Sequence, residues 1–207
     1  MSNNIKPLIL HAHAKGPDPY KVAAVLEALN LPYNVRLWTF ASDSHGVKGP
    51  EFLAINPNGR TQTPTLPARK AWLASTTFSA TMTPMTNSRG RQSGDFDQWT
   101  SFLISTMGPM IGQCNWFRHY NAVKNDDAYK RCFGVLEVQL KSHEGGWVIA
   151  GENHSVVDLH FKPWIRQYGY AGLSLDEYPK IKAWLDMVQG LPEVIKAYEM
   201  VKAREEA

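Results

Sequence analysis

Short apolar runs flank one amphipathic stretch near the start of the chain. The runs PLILHAH at 7–13 and YNVRLW at 33–38 have the composition of strands. Between them, four apolar residues recur at the helical spacing i, i+3, i+4 and i+7, namely Val22, Val25, Leu26 and Leu29. Pro32 ends the predicted helix. A strand, a helix and a strand in this order predict a βαβ unit with parallel strands.

The second half of the chain has helical periodicity almost throughout. From Asp95 onward we expect a long amphipathic helix kinked at Pro109, whose apolar residues are Phe96, Trp99, Phe102, Leu103, Met107 and Met110. Further helices are predicted at about 126–141, at 155–169 and over two C-terminal segments that each have Pro in the first turn, PKIKAWLDMVQG and LPEVIKAYEMVKAREE. The pattern therefore predicts an α/β domain over 1–92 and an all-α domain over 94–207.

The segment at 59–91 differs in composition from both of its flanks. It contains eight Thr, three Ser and three Pro, and no Asp or Glu occurs between Glu51 and Asp95. Because apolar and polar positions do not alternate clearly at 61–93, we expect a loop or weak helix there. The sheet should then lack its antiparallel edge. We expect the α/β domain to be incomplete and less stable than the helical one.

The positive charge of the chain is concentrated in this segment. The net charge is +3, and the basic residues between Phe52 and Gly94 supply +5, so the rest carries −2; they are Arg60, Arg69, Lys70, Arg89 and Arg91. No basic face is patterned for nucleic acid, and we expect no such partner. No apolar window approaches the roughly 18 residues of a membrane span, and no secretory signal is visible. We expect a cytoplasmic protein without a membrane partner.

Neither the cysteines nor the histidines indicate a metal site. Cys114 and Cys132 match neither a CxxC nor a zinc pattern, so we expect reduced thiols. His11 and His13 share one face of the first predicted strand, but no cluster of carboxylates or cysteines accompanies them. We therefore expect no metal and no permanently bound cofactor.

Two local motifs within the helical half have a physical interpretation. Ser155 and Asp158 have the spacing of a capping box, in which each residue satisfies a free N–H group at the helix start. This role is structural. At 105–120, the poor helix formers Gly108, Pro109 and Gly112 occur within five residues. Either open backbone beside a ligand or close helix packing could offset their cost.

Four segments, in this order and spacing, resemble the glutathione transferase superfamily: GPDPYKVAAVLEALNLPY, GPEFLAINPNGR, WTSFLISTMGPMIGQCNWF and HSVVDLHFKPWI. The branch they resemble contains the fungal nitrogen-catabolite regulator and bacterial disulfide-bond oxidoreductases. The resemblance covers about residues 7–60 and 94–207. It implies a thioredoxin-like α/β N-terminal domain followed by an all-α C-terminal domain, the glutathione transferase architecture.

The resemblance places the glutathione sulfur at the start of the first helix, where backbone N–H groups and the helix dipole favour an anion. Asp18 occupies the position at which this branch has a thiol-activating Asn. An ionised carboxylate cannot donate a hydrogen bond and repels a thiolate. Either the Asp18 carboxyl is protonated, or its side chain turns away from the sulfur, or the site is weak. Tyr20 is either a substitute donor or a packed aromatic residue.

Other site residues are also implied by the resemblance. Lys48 is assigned to glutathione, as is Thr61 through its backbone. The acceptor pocket is assigned to residues of the 105–120 helix, namely Met107, Met110, Gln113 and Trp116. Two family elements are missing, because Thr61-Gln62-Thr63-Pro64 replaces the usual Val-Pro and no Glu-Ser pair occurs before Asp95.

Two interpretations of residues 61–93 stay open. The segment is a genuine Thr-rich replacement that remodels the site, or it results from a frameshift or a mis-spliced exon. We favour the second interpretation. Synonymous codons for Gln62 to Leu73 can encode, in another frame, Asp-Pro-Asn-Thr and then Gly-Val-Ala, which is similar to the family at this place. The genomic DNA and the transcript across the segment distinguish the two.

The resemblance implies conjugation of glutathione, as co-substrate, to a small electrophile. Fungal relatives of this kind further imply a place in a secondary-metabolite pathway, and the usual homodimer is an expectation. A second hypothesis is a catalytically weak or inactive regulatory or scaffold protein, which Asp18 and the missing Glu-Ser pair favour. A glutathione-dependent disulfide reductase is a further alternative.

Overall fold

A four-stranded mixed sheet forms the centre of the N-terminal part of the chain. The computed structural model describes residues 6–56, 59, 63–66, 69–72, 92–121 and 127–204. Contacts divide the chain into two compact units, one of Met1–Met85 with Pro192–Ala207 and one of Thr86–Leu191. Within the described ranges, every helix is too short or too polar to cross a membrane.

The first unit begins with the βαβ arrangement that the periodicity predicts. Its elements are β1 (Leu8–Ala12), α1 (Asp18–Ala28), β2 (Tyr33–Leu37), α2 (Pro50–Leu53), β3 (Thr63–Leu66) and β4 (Arg69–Trp72). The strand order is β2-β1-β3-β4. Strands β1 and β2 are parallel, with Leu8 opposite Tyr33 and Ala12 opposite Leu37. The apolar face of α1 is buried along with its neighbouring alanines.

The expected loss of the antiparallel edge is wrong. Strand β3 pairs antiparallel with β1, with Ile9 opposite Thr65 and His11 opposite Thr63, and β4 pairs antiparallel with β3. The free edge of β1 carries N–H and C=O groups that need partners, and β-branched Thr suits an extended partner. Pro64 lies opposite Leu10 of β1, and Thr65 lies opposite Trp72 of β4. The expectation for 73–91 lies outside the described residues.

A small aromatic cluster packs beside β1. Trp38, Val47 and Phe52 are buried together, with Ile55 packed against them. The buried His11 ring borders this cluster, and its Nδ1 accepts a hydrogen bond from Trp38 Nε1 at 2.9 Å. Burial, with a smaller contribution from the nearby Arg36 charge, lowers the pKa of His11 to about 4. His11 is therefore neutral at physiological pH.

The last helix of the chain, α8 (Pro192–Lys202), belongs to the first unit and packs on α1. Glu27 of α1 accepts a hydrogen bond from Tyr33 Oη at 2.9 Å and pairs with Lys196 Nζ at 2.6 Å. The Tyr20 and Tyr198 rings stack with centroids 4.2 Å apart. The sequence-based division placed this helix in the all-α domain of 94–207, because helical periodicity shows a buried face without showing what covers it.

The second unit is helical in its described part. Its elements are α3 (Gln92–Phe102), a π-helical turn (Leu103–Met107), α4 (Gly108–Trp116), a second π-helical turn (Phe117–Asn121), α5 (Asp127–Lys141), α6 (Val156–Ile165) and α7 (Pro179–Gln189). The predicted long helix is thus interrupted at the expected place. Pro109 has no N–H for the preceding turn, and the helix changes to π-type spacing just before it.

Two buried carboxylates cap helices in this unit. Asp158, which is fully buried, accepts hydrogen bonds from Ser155 N at 2.8 Å, from Val148 N at 3.0 Å and from Trp184 Nε1 at 2.8 Å. Ser155 and Asp158 form the predicted capping box at the start of α6. The buried Glu137 of α5 accepts from the backbone N–H groups of Lys180 and Ile181, at 3.1 and 2.9 Å, at the start of α7.

We predict that Asp158→Asn destabilises the protein by about 2–4 kcal/mol, because the amide keeps the size but loses the charge and one of two acceptor oxygens inside a buried network. Denaturation in urea, followed by far-ultraviolet circular dichroism, measures the loss. Asp186→Asn on the exposed surface of α7 is the matched control and should change stability by less than about 0.5 kcal/mol. Equal effects of the two substitutions would contradict the prediction.

We predict that His11 makes the first unit less stable in acid. Its folded-state pKa of about 4 lies below the ordinary value of 6.5, so the unfolded chain binds the proton more readily. The contribution is fully present above pH 6.5 and is lost as the pH falls towards 4, by up to about 3 kcal/mol. Unfolding free energies measured across this window test it. The His11→Asn variant keeps a hydrogen-bond acceptor but cannot titrate, so its stability should fall less than that of the unmodified protein between pH 6.5 and 4. If both proteins show the same pH dependence of stability, His11 is not the group responsible.

Candidate functional site

The candidate site begins where β1 leads into α1. Helix α1 starts at Asp18 after Pro17, the N-cap residue, whose side chain makes no capping hydrogen bond. Pro19 follows in the first turn. The helix start therefore combines an acidic side chain with two prolines, at the end of β1 to which the resemblance assigns the glutathione sulfur.

Asp18 is paired with a cation. Its carboxylate forms an ion pair with the ammonium of Lys21, one turn further along α1. Both side chains are largely shielded from solvent, with 13% of Asp18 and 7% of Lys21 exposed. The structure thus adds an arrangement that the sequence alternatives did not include: a carboxylate whose charge is balanced from its own helix. Sequence reasoning missed Lys21, although Asp and Lys at i and i+3 is a known helical pairing.

Tyr20 is a packed aromatic residue, the second of its two interpretations. Its ring is buried against Tyr198, and its hydroxyl donates to the Ala14 carbonyl oxygen at 2.7 Å. Because the hydroxyl proton is directed at the backbone, Tyr20 is not placed to donate to a ligand at the helix start.

Lys48 lies against the turn that ends the Asn-Pro-Asn-Gly motif. Gly59 N–H donates to the Asn56 carbonyl oxygen at 2.9 Å, and Gly59 has a φ of 60°. A Cβ at Gly59 would lie 2.8 Å from Lys48 Nζ and 2.9 Å from the Val47 carbonyl oxygen. Glycine is therefore needed for its backbone angle and for the close approach of the Val47 carbonyl oxygen. Thr61, the other predicted glutathione contact, lies outside the described residues.

The four residues predicted for the acceptor pocket do not share one environment. Met107 is fully buried, so its side chain lies in the core, and its assignment as a lining residue stays a prediction. Met110 is half-buried, Gln113 is exposed and Trp116 is 58% exposed. These three follow one another at three-residue steps, which puts them along one stripe of α4.

The two glycines of this helix lie next to the Trp164 ring, and the packing is tight at Gly108. A Cβ at Gly108 would lie 3.3 Å from the indole of Trp164, and one at Gly112 would lie 3.7 Å from it. The Trp164 ring of α6 therefore lies on the glycine face of α4. Of the two explanations that the sequence left open, helix packing is the one that these distances support.

The described residues contain no group of three or more His, Cys, Asp or Glu side chains that could hold a metal ion. The two histidines of the predicted strand face different partners: His11 accepts from Trp38, and His13 stacks on Phe40 with ring centroids 3.8 Å apart. Cys114 and Cys132 are buried thiols that form no disulfide, and burial raises the pKa of the Cys132 thiol.

The comparisons with known proteins agree with one another. Residues 118–200 match the family model for the glutathione S-transferase C-terminal domain. Glutathione S-transferase 2 of Schizosaccharomyces pombe is 30% identical over 234 residues, covering 95% of this chain and 97% of the relative. Protein URE2 of Eremothecium gossypii is 26% identical over 237 residues, covering 91% of this chain but 66% of the relative, so the chain spans just under two thirds of that protein.

A solved structure agrees with these relatives over nearly the whole chain. The glutathione transferase URE2P6 from Phanerochaete chrysosporium, in complex with oxidized glutathione, superimposes with a TM-score of 0.81 at 27% identity, covering 98% of this chain and 99% of that one. The fold is thus the expected thioredoxin-like α/β region with an all-α region. With a relative 30% identical over almost the full length of both proteins, the chain belongs to the glutathione S-transferase superfamily, in its Ure2-like branch.

Proposed function

We propose that this protein binds glutathione at the start of α1 and joins its sulfur to a small electrophile. The observation that carries the proposal is the match, over 98% of the chain, to a glutathione transferase in complex with oxidized glutathione. The local structure is compatible with it, since the ion pair with Lys21 offsets the negative charge of Asp18 at the helix start.

The reaction needs a thiolate and an electrophilic carbon. The glutathione thiol loses its proton to solvent, and the sulfur uses the freed electron pair to form a C–S bond. The leaving group departs with its bonding pair, or an activated double bond takes up a proton at the second carbon. In this proposal Lys48 holds a carboxylate of glutathione, Thr61 offers its backbone, and the stripe of Met110, Gln113 and Trp116 contacts the acceptor.

A regulatory or scaffold role is the second candidate. Its specific support is the carboxylate of Asp18 at the position where an amide donor is expected, together with relatives that carry the name Protein URE2. Glutathione-dependent disulfide reduction is a third candidate, and it would use the same bound thiol. We further propose a cytoplasmic homodimer, with a role in fungal secondary metabolism that rests on the resemblance to fungal sequences.

We predict that glutathione binds the full chain with a dissociation constant of millimolar or tighter, which corresponds to about 4 kcal/mol of binding free energy or more. Isothermal titration calorimetry measures it directly. Lys48→Ala should weaken binding, while Lys182→Ala, an exposed change on α7, should not. A folded chain with no detectable binding would overturn the proposed function and favour the scaffold.

We predict that Asp18→Asn raises conjugation of a generic electrophile at neutral pH. The amide can donate a hydrogen bond to the sulfur, and the substitution removes a negative charge that disfavours the thiolate. The increase should appear in kcat/KM and be largest below the pKa of the bound thiol. Glutathione that binds with no gain in activity would favour the scaffold over the enzyme.

A further inference from the structure

We infer that the Thr106 hydroxyl donates a hydrogen bond to the acceptor and makes the protein selective for electrophiles whose reactive carbon is conjugated to a carbonyl group. The inference rests on the proposed function and deepens it, because it names the substrate class of the same surface. Thr106 lies in the first π-helical turn, just before the stripe of Met110, Gln113 and Trp116 on α4 (the acceptor stripe). The observations that carry the inference are a pair of adjacent hydroxyls and the direction of their protons.

The π-helical turn brings two hydroxyl groups side by side. The N–H group of Gly108 donates to the Leu103 carbonyl oxygen, five residues earlier, and Pro109 has no N–H with which to restore the α-helical spacing. A turn that contains more residues than an α-helical one separates neighbouring side chains by a smaller rotation about the helix axis. Ser105 Oγ and Thr106 Oγ1 accordingly lie 3.2 Å apart on a solvent-facing part of the turn.

The hydrogen bonds of this pair show which hydroxyl is the donor. A serine or threonine hydroxyl carries one proton. Ser105 donates its proton to the Ser101 carbonyl oxygen at 2.7 Å, the usual length of an O–H···O bond. In the 3.2 Å contact the proton therefore comes from Thr106, and Ser105 Oγ accepts it. Since this contact is longer than most O–H···O bonds, the Thr106 proton is weakly held and can turn to a stronger acceptor.

Thr106 borders the surface to which the proposed function assigns the acceptor. It precedes Met110 by four residues, and Gln113 follows three residues later, so the three side chains lie along one side of the helix. Burial agrees with this placement, because Thr106 and Met110 are half-buried. Met107 and Ile111, on the other side of the helix, are fully buried in the core. The Thr106 hydroxyl is thus a hydrogen-bond donor at the edge of the acceptor stripe.

A donor at this place favours one class of electrophile. When a thiolate adds to an α,β-unsaturated carbonyl compound, its electron pair forms a C–S bond at the β-carbon. The electron pair of the C=C bond shifts towards the carbonyl group, whose oxygen becomes an enolate oxygen. A hydrogen bond from Thr106 is stronger to that oxygen than to the starting carbonyl, and so stabilises the transition state. The enolate then takes a proton from solvent at the α-carbon, so the addition needs no further reactant.

The test compares two acceptors, using the full chain and glutathione. Benzylideneacetone is an α,β-unsaturated ketone that takes up the thiol by addition, whereas benzyl chloride has no oxygen and loses chloride by substitution. We expect the kcat/KM for the ketone, divided by that for the chloride, to fall about tenfold in Thr106→Val, because only the ketone uses the hydroxyl. Thr106→Ser keeps the donor, so its ratio should stay close to that of the unmodified protein.

Two controls separate the Thr106 proton from the hydroxyls around it. Ser101→Ala removes an exposed hydroxyl of α3 but keeps the carbonyl oxygen that Ser105 uses, so the ratio should stay that of the unmodified protein. Ser105→Ala removes the oxygen that accepts from Thr106 and leaves the Thr106 proton in place, so the ratio should not fall. A fall in Ser105→Ala as large as in Thr106→Val would overturn the inference.

The outcomes distinguish this inference from the proposed function. If Thr106→Val lowers kcat/KM equally for both acceptors, or if Thr106→Ser behaves like Thr106→Val, the role of the hydroxyl is overturned and the proposed function stands. A chain that binds glutathione but does not conjugate the ketone overturns the substrate class and leaves the glutathione site in place. A folded chain that does not bind glutathione overturns both. Should Thr106→Val fail to fold, Thr106→Ala and Thr106→Ser give the same comparison, because they differ by the hydroxyl group alone.

Discussion

The helical unit depends on the hydrogen bonds of one buried carboxylate. Asp158 caps its own helix through Ser155, holds the chain at Val148 and receives the indole N–H of Trp184 from α7. Three separate parts of the unit therefore meet at two oxygen atoms. A buried carboxylate is costly unless its acceptor positions are filled, and here backbone and indole donors fill them. The buried carboxylate of Glu137 likewise accepts backbone hydrogen bonds at the start of α7. These bonds fix the arrangement of α5, α6 and α7 in a way that apolar packing alone would not.

The sequence predicts the elements whose residues carry their own periodicity. Helix α1 and the strands beside it follow from apolar spacing, and the Asp158 cap follows from its i, i+3 relation to Ser155. What the sequence pattern does not show is which tertiary contacts an element makes. Strands β3 and β4 have four residues each, too few for alternation to be recognised, and their pairing depends on the free edge of β1. Met107 and Met110 look alike in a helical pattern, yet only one of them lies in the core.

At the candidate site, too, the sequence does not show the contacts that a side chain makes. Sequence comparison identifies Asp18 as an unusual residue at the helix start, but it cannot show where the carboxylate is directed. The structure directs it towards Lys21, three residues along the same helix. The prolines on either side of Asp18 carry no N–H, so this first turn has fewer backbone donors than most helices have. The resemblance thus indicates where the candidate site lies, and the sequence leaves its charge balance undetermined.

The position of α1 depends on the far end of the chain. Helix α8 contacts α1 through Lys196 and Glu27 and through the stacked rings of Tyr198 and Tyr20. Tyr20 lies between Asp18 and Lys21, so the ring that α8 packs against belongs to the turn that holds the ion pair. Contacts between such distant segments carry a larger loop-closure entropy cost than contacts within the βαβ unit. The βαβ unit alone therefore does not supply the ring that stacks on Tyr20; the last helix of the chain supplies it.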